Sequence, residues 1–342
     1  MNPDGLFEFT RHFLFSQLLP AMLSFLVTAL VMLVISAVLA PFESLGWWAG
    51  WFGQPRETPQ RLPVIEDIDE VDHYVVYLSG IGEISGEGLD EKEKSFLAGL
   101  DAHLPDLEIV KDVFPYAMNN NGLTGQRLFA ALWRWIQQRK LNGKVLLANL
   151  INIRNLFQVA VSADRRYGPI YNYGTAEVIQ AGLLRRGYKI GHGKPVTLIG
   201  YSGGGQIAIG AATYLKTMLK APLQVISLGG TFADDPGLVY IDHLYHLYGQ
   251  KDIAQQLATL LYAGRWPLLR YSTWNQAKAE GRVTMICIGP MRHRGSRGYL
   301  DDRSYQPTGQ SYQDCSVKII ARLISSSTGP LLRTTDKSEG NQ

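Results

Sequence analysis

An α/β fold, a mostly parallel sheet with helices on both faces, is predicted by two observations. Short apolar, β-branched runs alternate with longer stretches of helical periodicity between residues 73 and 325. One such run, 197–200, breaks into Tyr201-Ser202-Gly203-Gly204-Gly205 and then a small-residue amphipathic segment. That reads as a strand, a very tight turn with Ser202 at its apex, and a helix. A third observation places a membrane helix ahead of the domain: residues 21–40 carry no charge.

The N-terminal stretch comes first. At about 1.5 Å per residue, a helix over 21–40 spans roughly 30 Å, the thickness of a bilayer's hydrocarbon core. Pro20 and Pro41 bracket it. Phe13 and Phe15 precede it and Phe42, Trp47, Trp48, Trp51 and Phe52 follow it, in the manner of interfacial aromatic belts. A cleavable signal peptide would want a basic start and a shorter apolar core, whereas Asp4 and Glu8 stand beside Arg11. An uncleaved single-pass anchor is therefore expected, with residues 1–20 as its flank. Arg11 before the span against Arg56 and Arg61 after it leans toward a cytoplasmic C-terminal domain. Residues 41–72 read as an interfacial segment and a proline-rich acidic linker.

The domain at 73–325 then opens on a strand, HYVVYL, that runs into Ser79-Gly80-Ile81-Gly82. A helix is expected over 90–103, with Phe96, Leu97 and Leu100 on one face. A strand follows at 107–114, stopped by Pro115, and a helix at 124–140. In 145–161, Leu146, Leu150, Ile153, Phe157 and Ala160 mark an apolar stripe, with Asn152, Asn155 and Gln158 opposite. This segment, with the tyrosine-rich stretch after it (145–173), reads either as a lid over the site or as an ordinary core helix. A helix at 175–186 leads to the strand before Ser202. Strands are then expected at 223–228, within 240–248 and at 283–288, with helices at 253–262, 272–279 and 313–324. Residues 326–342 read as a disordered polar tail. Cys287, inside an apolar run, reads as a buried small hydrophobe. The two cysteines lack the spacing of a zinc site or disulfide framework, so no metal or cofactor is expected. A net charge of +3 with no recognition motif argues against a nucleic-acid partner.

In a parallel sheet, ligands bind beyond the carboxyl ends of the strands. Those ends carry the Gly80-Ile81-Gly82 loop, Ser202, Gly229-Gly230-Thr231, Asp252 and His293. A serine hydroxyl needs a base to take its proton, imidazole suits neutral pH, and a carboxylate orients the imidazole. Ser202, His293 and Asp252 supply that set. His243 and His246, within a strand-like run, are the rival histidines, and Asp234 and Asp235 the rival acids. Arg292, Arg294 and Arg297 flank His293 and read either as an anion-attracting rim or as a solvated loop paired with Asp301 and Asp302.

With its strand–GYSGG–helix turn and the chain order Ser, Asp, His, the segment 73–325 resembles the α/β-hydrolase superfamily of serine esterases and lipases. The resemblance implies Ser202 as nucleophile, Asp252 as acid and His293 as base. It further implies an oxyanion hole from the amides of Gly203 and Ile81, although the loop lacks that family's His-Gly signature. There is no room for the family's first two strands, so a trimmed sheet of about six is expected. The implied activity is hydrolysis of carboxylic esters, lipid or other acyl esters, through an acyl-enzyme, with the membrane as partner. An acyltransferase or thioesterase with the same triad, or a non-catalytic membrane scaffold, are the alternatives.

Overall fold

A computed structural model of the chain describes residues 71–118 except 84, 86 and 87, residue 120, residues 145–328, and a scatter of positions between 19 and 49. Its centre is a six-stranded, all-parallel sheet: β1 (Tyr74–Leu78), β2 (Glu108–Val110), β3 (Val196–Tyr201), β4 (Leu223–Leu228), β5 (His243–Tyr248) and β6 (Val283–Cys287), in the order β2-β1-β3-β4-β5-β6. The order reverses direction once, because the chain goes outward from β1 to β2 and then returns past β1 to lay down β3. Beyond the carboxyl ends of β1 and β3 a crevice therefore opens.

Strand alternation builds two cores. Tyr74, Val76 and Leu78 of β1, Val196 and Leu198 of β3, and Leu223 and Val225 of β4 point to one face. They meet α3 (Gly168–Arg185), α4 (Gly204–Leu219) and α6 (Thr273–Ala279). Val75 and Tyr77, Ile199 and Tyr201, and Ile226 and Leu228 point to the other face. There they pack on Phe96, Leu97 and Leu100 of α1 (Glu91–His103) and on Val317, Ile320 and Ile324 of α7 (Tyr312–Thr328). Both faces of the central strands are covered, which is why those strands read as predominantly apolar runs without strict alternation. Two further helices, α2 (Val145–Ala163) and α5 (Ile253–Leu261), flank the carboxyl edge. Their starts obey local rules: Asp90, Asp252 and Ser272 cap α1, α5 and α6 through side-chain acceptors.

Four expectations need correction. The second strand is only three residues long, because at the sheet edge it has β1 alone to pair with, and beyond Val110 the chain leaves the ladder. The tyrosine-rich stretch is helical: α3 starts at Gly168, with Pro169 in its first turn, where a missing N–H costs nothing. Cys287 is exposed, not buried, since β6 is the other edge strand and its face is only partly covered. On α2 the expected polar side is not turned to solvent: Asn155 and Gln158 are buried beside Ile151 and Val159, while Ala160 of the expected apolar stripe is exposed.

Among the described residues no helix is long and apolar enough to cross a membrane. Half of the positions of the anchor expected at 21–40 lie outside them. The positions described there, such as Met22, Leu23 and Val27, are helical with exposed side chains. The linker before residue 71, the helix expected at 124–140 and the tail beyond residue 328 also lie outside the described residues.

Candidate active site

The turn after β3 is as cramped as its glycines suggest. Ser202 sits at φ +54°, in the left-handed region where a non-glycine residue costs about 1–3 kcal/mol. Three backbone hydrogen bonds hold it there. Its amide donates to Leu228 O at 3.1 Å, and its carbonyl accepts from Gly205 N at 3.1 Å and Thr231 N at 3.2 Å. A Cβ on Gly200 would stand 2.6 Å from Gly204 O and from Gly205 Cα, and one on Gly204 would collide with Leu78 O. Only glycine fits at either place, and the pair lets α4 begin against the sheet edge.

The hydroxyl so presented lies 2.8 Å from His293 Nε2. Beyond β6, His293 Nδ1 is 3.0 Å and 2.9 Å from the two carboxylate oxygens of Asp252. Asp252 follows β5, caps α5 through Gln255 N at 3.0 Å, and is fully buried. Burial pushes its carboxyl upward. The hydrogen bond and charge of His293, the Tyr299 hydroxyl and the Gln255 amide outweigh that, so its pKa lies below the ordinary aspartate value. An ionised carboxylate only accepts, so His293 carries its proton on Nδ1 and turns a bare Nε2 toward the serine. This chain of three groups can take a proton from Ser202 and stabilise the imidazolium that results.

Three tyrosines that the sequence did not single out brace the arrangement. Tyr299 donates to Asp252 Oδ2 at 2.6 Å and accepts from Gly249 N at 2.8 Å, tying the acid to the β5 loop. Tyr201 donates to the backbone carbonyl of His293 at 2.9 Å. Tyr116 donates to Ser79 O at 2.7 Å, under the β1 loop.

That loop lies against the serine turn. A Cβ on Gly203 would be 2.7 Å from both Ile81 Cγ2 and Val159 Cγ2, so Ile81 and α2 close around the Gly203 peptide. Among the described residues, the amides of Gly203 and Ile81 donate to no protein group. Two such amides beside a serine hydroxyl are what a developing oxyanion requires. Asn155 of α2 donates to Ile81 O and Glu83 O, both at 2.8 Å. Gly80 N donates to Glu93 Oε1 at 3.2 Å. Glu93 is buried, and its pKa is pushed well above the usual carboxylate range, first by burial and then by the charges of Glu83 and Asp90. The inward polar face of α2 therefore has a purpose that its pattern alone did not reveal. With Ile151, Val159 and Val161 packed beside Tyr116 and Ile207, α2 is a seated helix along one wall.

Ser202 opens into a cleft of about 230 Å³ whose walls include Ile81, Glu83, Asp90, Glu93 and Arg294. The rivals are occupied elsewhere. His246 is buried between Ser227 Oγ and Gln255 Nε2, and burial lowers its pKa to about 3. His243 pairs with Thr284 Oγ1 on the sheet edge. Asp234 accepts from Trp274 N and Asp235 from Gln206 Nε2. Of the arginines flanking His293, Arg294 alone borders the cleft. Asp301 is held by the backbone amides of Arg297 and Arg303 and by Lys92, not by arginine side chains. No family model, curated protein or solved structure matches this chain.

Proposed function

We propose that this chain is a membrane-anchored serine hydrolase of the α/β-hydrolase type, cleaving carboxylic esters, lipid or other acyl esters, through an acyl-enzyme. The single observation that carries the reading is the relay Ser202 Oγ–His293 Nε2 at 2.8 Å and His293 Nδ1–Asp252 at 2.9 Å, built on a serine at φ +54°. The strand order adds support, because it sets β3 and its serine beside the crevice at the centre of the sheet. The membrane part of the reading rests on the uncharged stretch at 21–40.

In this mechanism Ser202 attacks the ester carbonyl while His293 takes its proton. Asp252 holds the imidazolium, and the Gly203 and Ile81 amides bind the oxyanion. His293 returns the proton to the leaving alcohol, and the same steps with water release the acid and free Ser202. A fluorophosphonate probe tests the chemistry. The full chain should be labelled and Ser202→Ala should not; an unlabelled wild type would sink the reading. Product analysis with an alcohol acceptor present separates hydrolysis from acyl transfer.

A further inference from the structure

Helix α5 is apolar where a water-exposed helix is ordinarily polar. Gln255 and Ala258 face inward. Its outward stripe is Ile253, Leu257, Leu260 and Leu261, at 68%, 51%, 63% and 77% exposure. Those positions are spaced i, i+4, i+7 and i+8, one continuous face. The chain beyond continues the pattern, with Leu268 at 86% and Tyr271 at 92% exposure and Trp266 partly exposed beside them. A contiguous apolar surface of this kind marks a contact with something apolar.

The charges around it select what that is. From residue 253 to residue 279 the sequence has no aspartate or glutamate. Arg270 is exposed and, with Arg165, lines a groove of about 620 Å³ between Leu261, Leu268 and Tyr271. The Arg165 side chain is 82% exposed, 3.7 Å from a mostly buried Asp234. Arg265 takes no part, because it is stacked within 4.3 Å of the Phe232 ring and 4.5 Å of the Trp274 ring. An apolar face rimmed by cations suits the headgroups and upper acyl chains of an anionic bilayer. A second copy docked on the same face would bring two such cation-rimmed surfaces together, with no carboxylate in 253–279 to pair with Arg165 and Arg270. Trp266 and Tyr271 have the amphipathic rings that settle at membrane interfaces.

We propose that α5 and residues 262–271 form a second membrane contact, lying in the interface of an anionic bilayer and separate from the stretch at 21–40. Because Asp252 both caps α5 and hydrogen-bonds His293, this contact holds the acid edge of the site at a fixed depth beside the lipid. The surface stands on exposure and charge alone, independently of the serine chemistry.

The test uses the full chain in nanodiscs of phosphatidylcholine with phosphatidylglycerol. In a Cys287→Ser, Cys315→Ser background, NBD is attached through Leu260→Cys or, as an aqueous control, Lys278→Cys. Emission from position 260 should shift to the blue and be quenched by lipids carrying doxyl groups high on the acyl chain. Position 278 should show neither. Arg165→Glu with Arg270→Glu should reduce the quenching at 260, and unchanged quenching would overturn the anionic assignment. Absence of quenching at 260 would overturn the proposal. So would a blue shift without quenching, since it would mean cover by a second copy or another segment of the chain. Fluorophosphonate labelling of Ser202 in the same samples reports on the hydrolase chemistry separately.

Discussion

Tyr299 gives the carboxylate of Asp252 its shortest hydrogen bond, 2.6 Å, and takes the Gly249 amide on its other side. Tyr299→Phe leaves a buried N–H unpaired and one carboxylate oxygen short of a donor, a loss of about 1–3 kcal/mol in unfolding free energy. It also removes a hydrogen bond that favours the ionised acid, so Asp252 titrates at higher pH. The acidic limb of the kcat/KM profile should move upward, and an unmoved limb would show that Tyr299 is not coupled to the relay. Glu93 acts on the other half of the site. It stays protonated well above the usual range, and ionising it places a charge under the loop that carries Ile81. Activity should therefore fall as pH rises through its pKa. Glu93→Gln keeps an acceptor for Gly80 N and should lose that alkaline fall, while Glu93→Leu should lower kcat at every pH. Ser202, Asp252 and His293 were legible because each stands just beyond a strand, at the edge where a parallel sheet gathers its ligands. Tyr299 and Glu93 were not, because each acts through a fold contact with a residue 47 or 13 positions away, and no local pattern marks either.

At the scale of elements, the strand–turn–helix around Ser202 depends on Gly200 and Gly204 lying closer to backbone than any side chain allows. Gly200→Ala forces a Cβ to 2.6 Å from two backbone atoms. Overpacking of this sort costs typically about 1–3 kcal/mol, and here it also rotates the serine. Fluorophosphonate labelling should fall much further than thermal stability does. Labelling that survives at the wild-type rate would show that the turn is not the strained one described. Most of the described helices and strands were readable from periodicity, the length of β2 and the start of α3 excepted; orientation was not. The polar side of α2 faces inward because the β1 loop offers it the Ile81 and Glu83 carbonyls, partners that are invisible until the loop is folded. On α5 the apolar stripe has the spacing of a core-facing helix, and a bilayer asks for the same spacing as a core.

For the whole molecule, the alternation that sends Val75 to one core and Val76 to the other made the fold class legible, and burial within those cores sets the response to pH. Burial lowers His73 from 6.5 to about 4 and His246 to about 3. Their native values lie below the unfolded one, so the unfolded chain binds protons first. What they contribute is intact above pH 6.5 and declines as pH falls. Asp235, raised by burial from 3.8 to about 6, and Glu93, raised well above 4.5, run the other way. Between their unfolded and native values the native state holds protons that the unfolded chain has released, so acidification favours folding. Each group changes the unfolding free energy by about 1.4 kcal/mol per pH unit within its window. As pH falls below 6, then, Asp235 and Glu93 offset part of what His73, His246 and His243, which burial also lowers, take away. In urea titrations the wild type should therefore lose stability more gently than the histidines alone would dictate. Asp235→Asn removes one stabilising term, so between pH 6 and about 4 its stability should fall on acidification more steeply than the wild type's by about 1.4 kcal/mol per unit. His246→Gln removes one destabilising term and should tilt the profile by a similar amount in the opposite direction. Parallel profiles for wild type and both variants would show that these groups are not held as their burial implies.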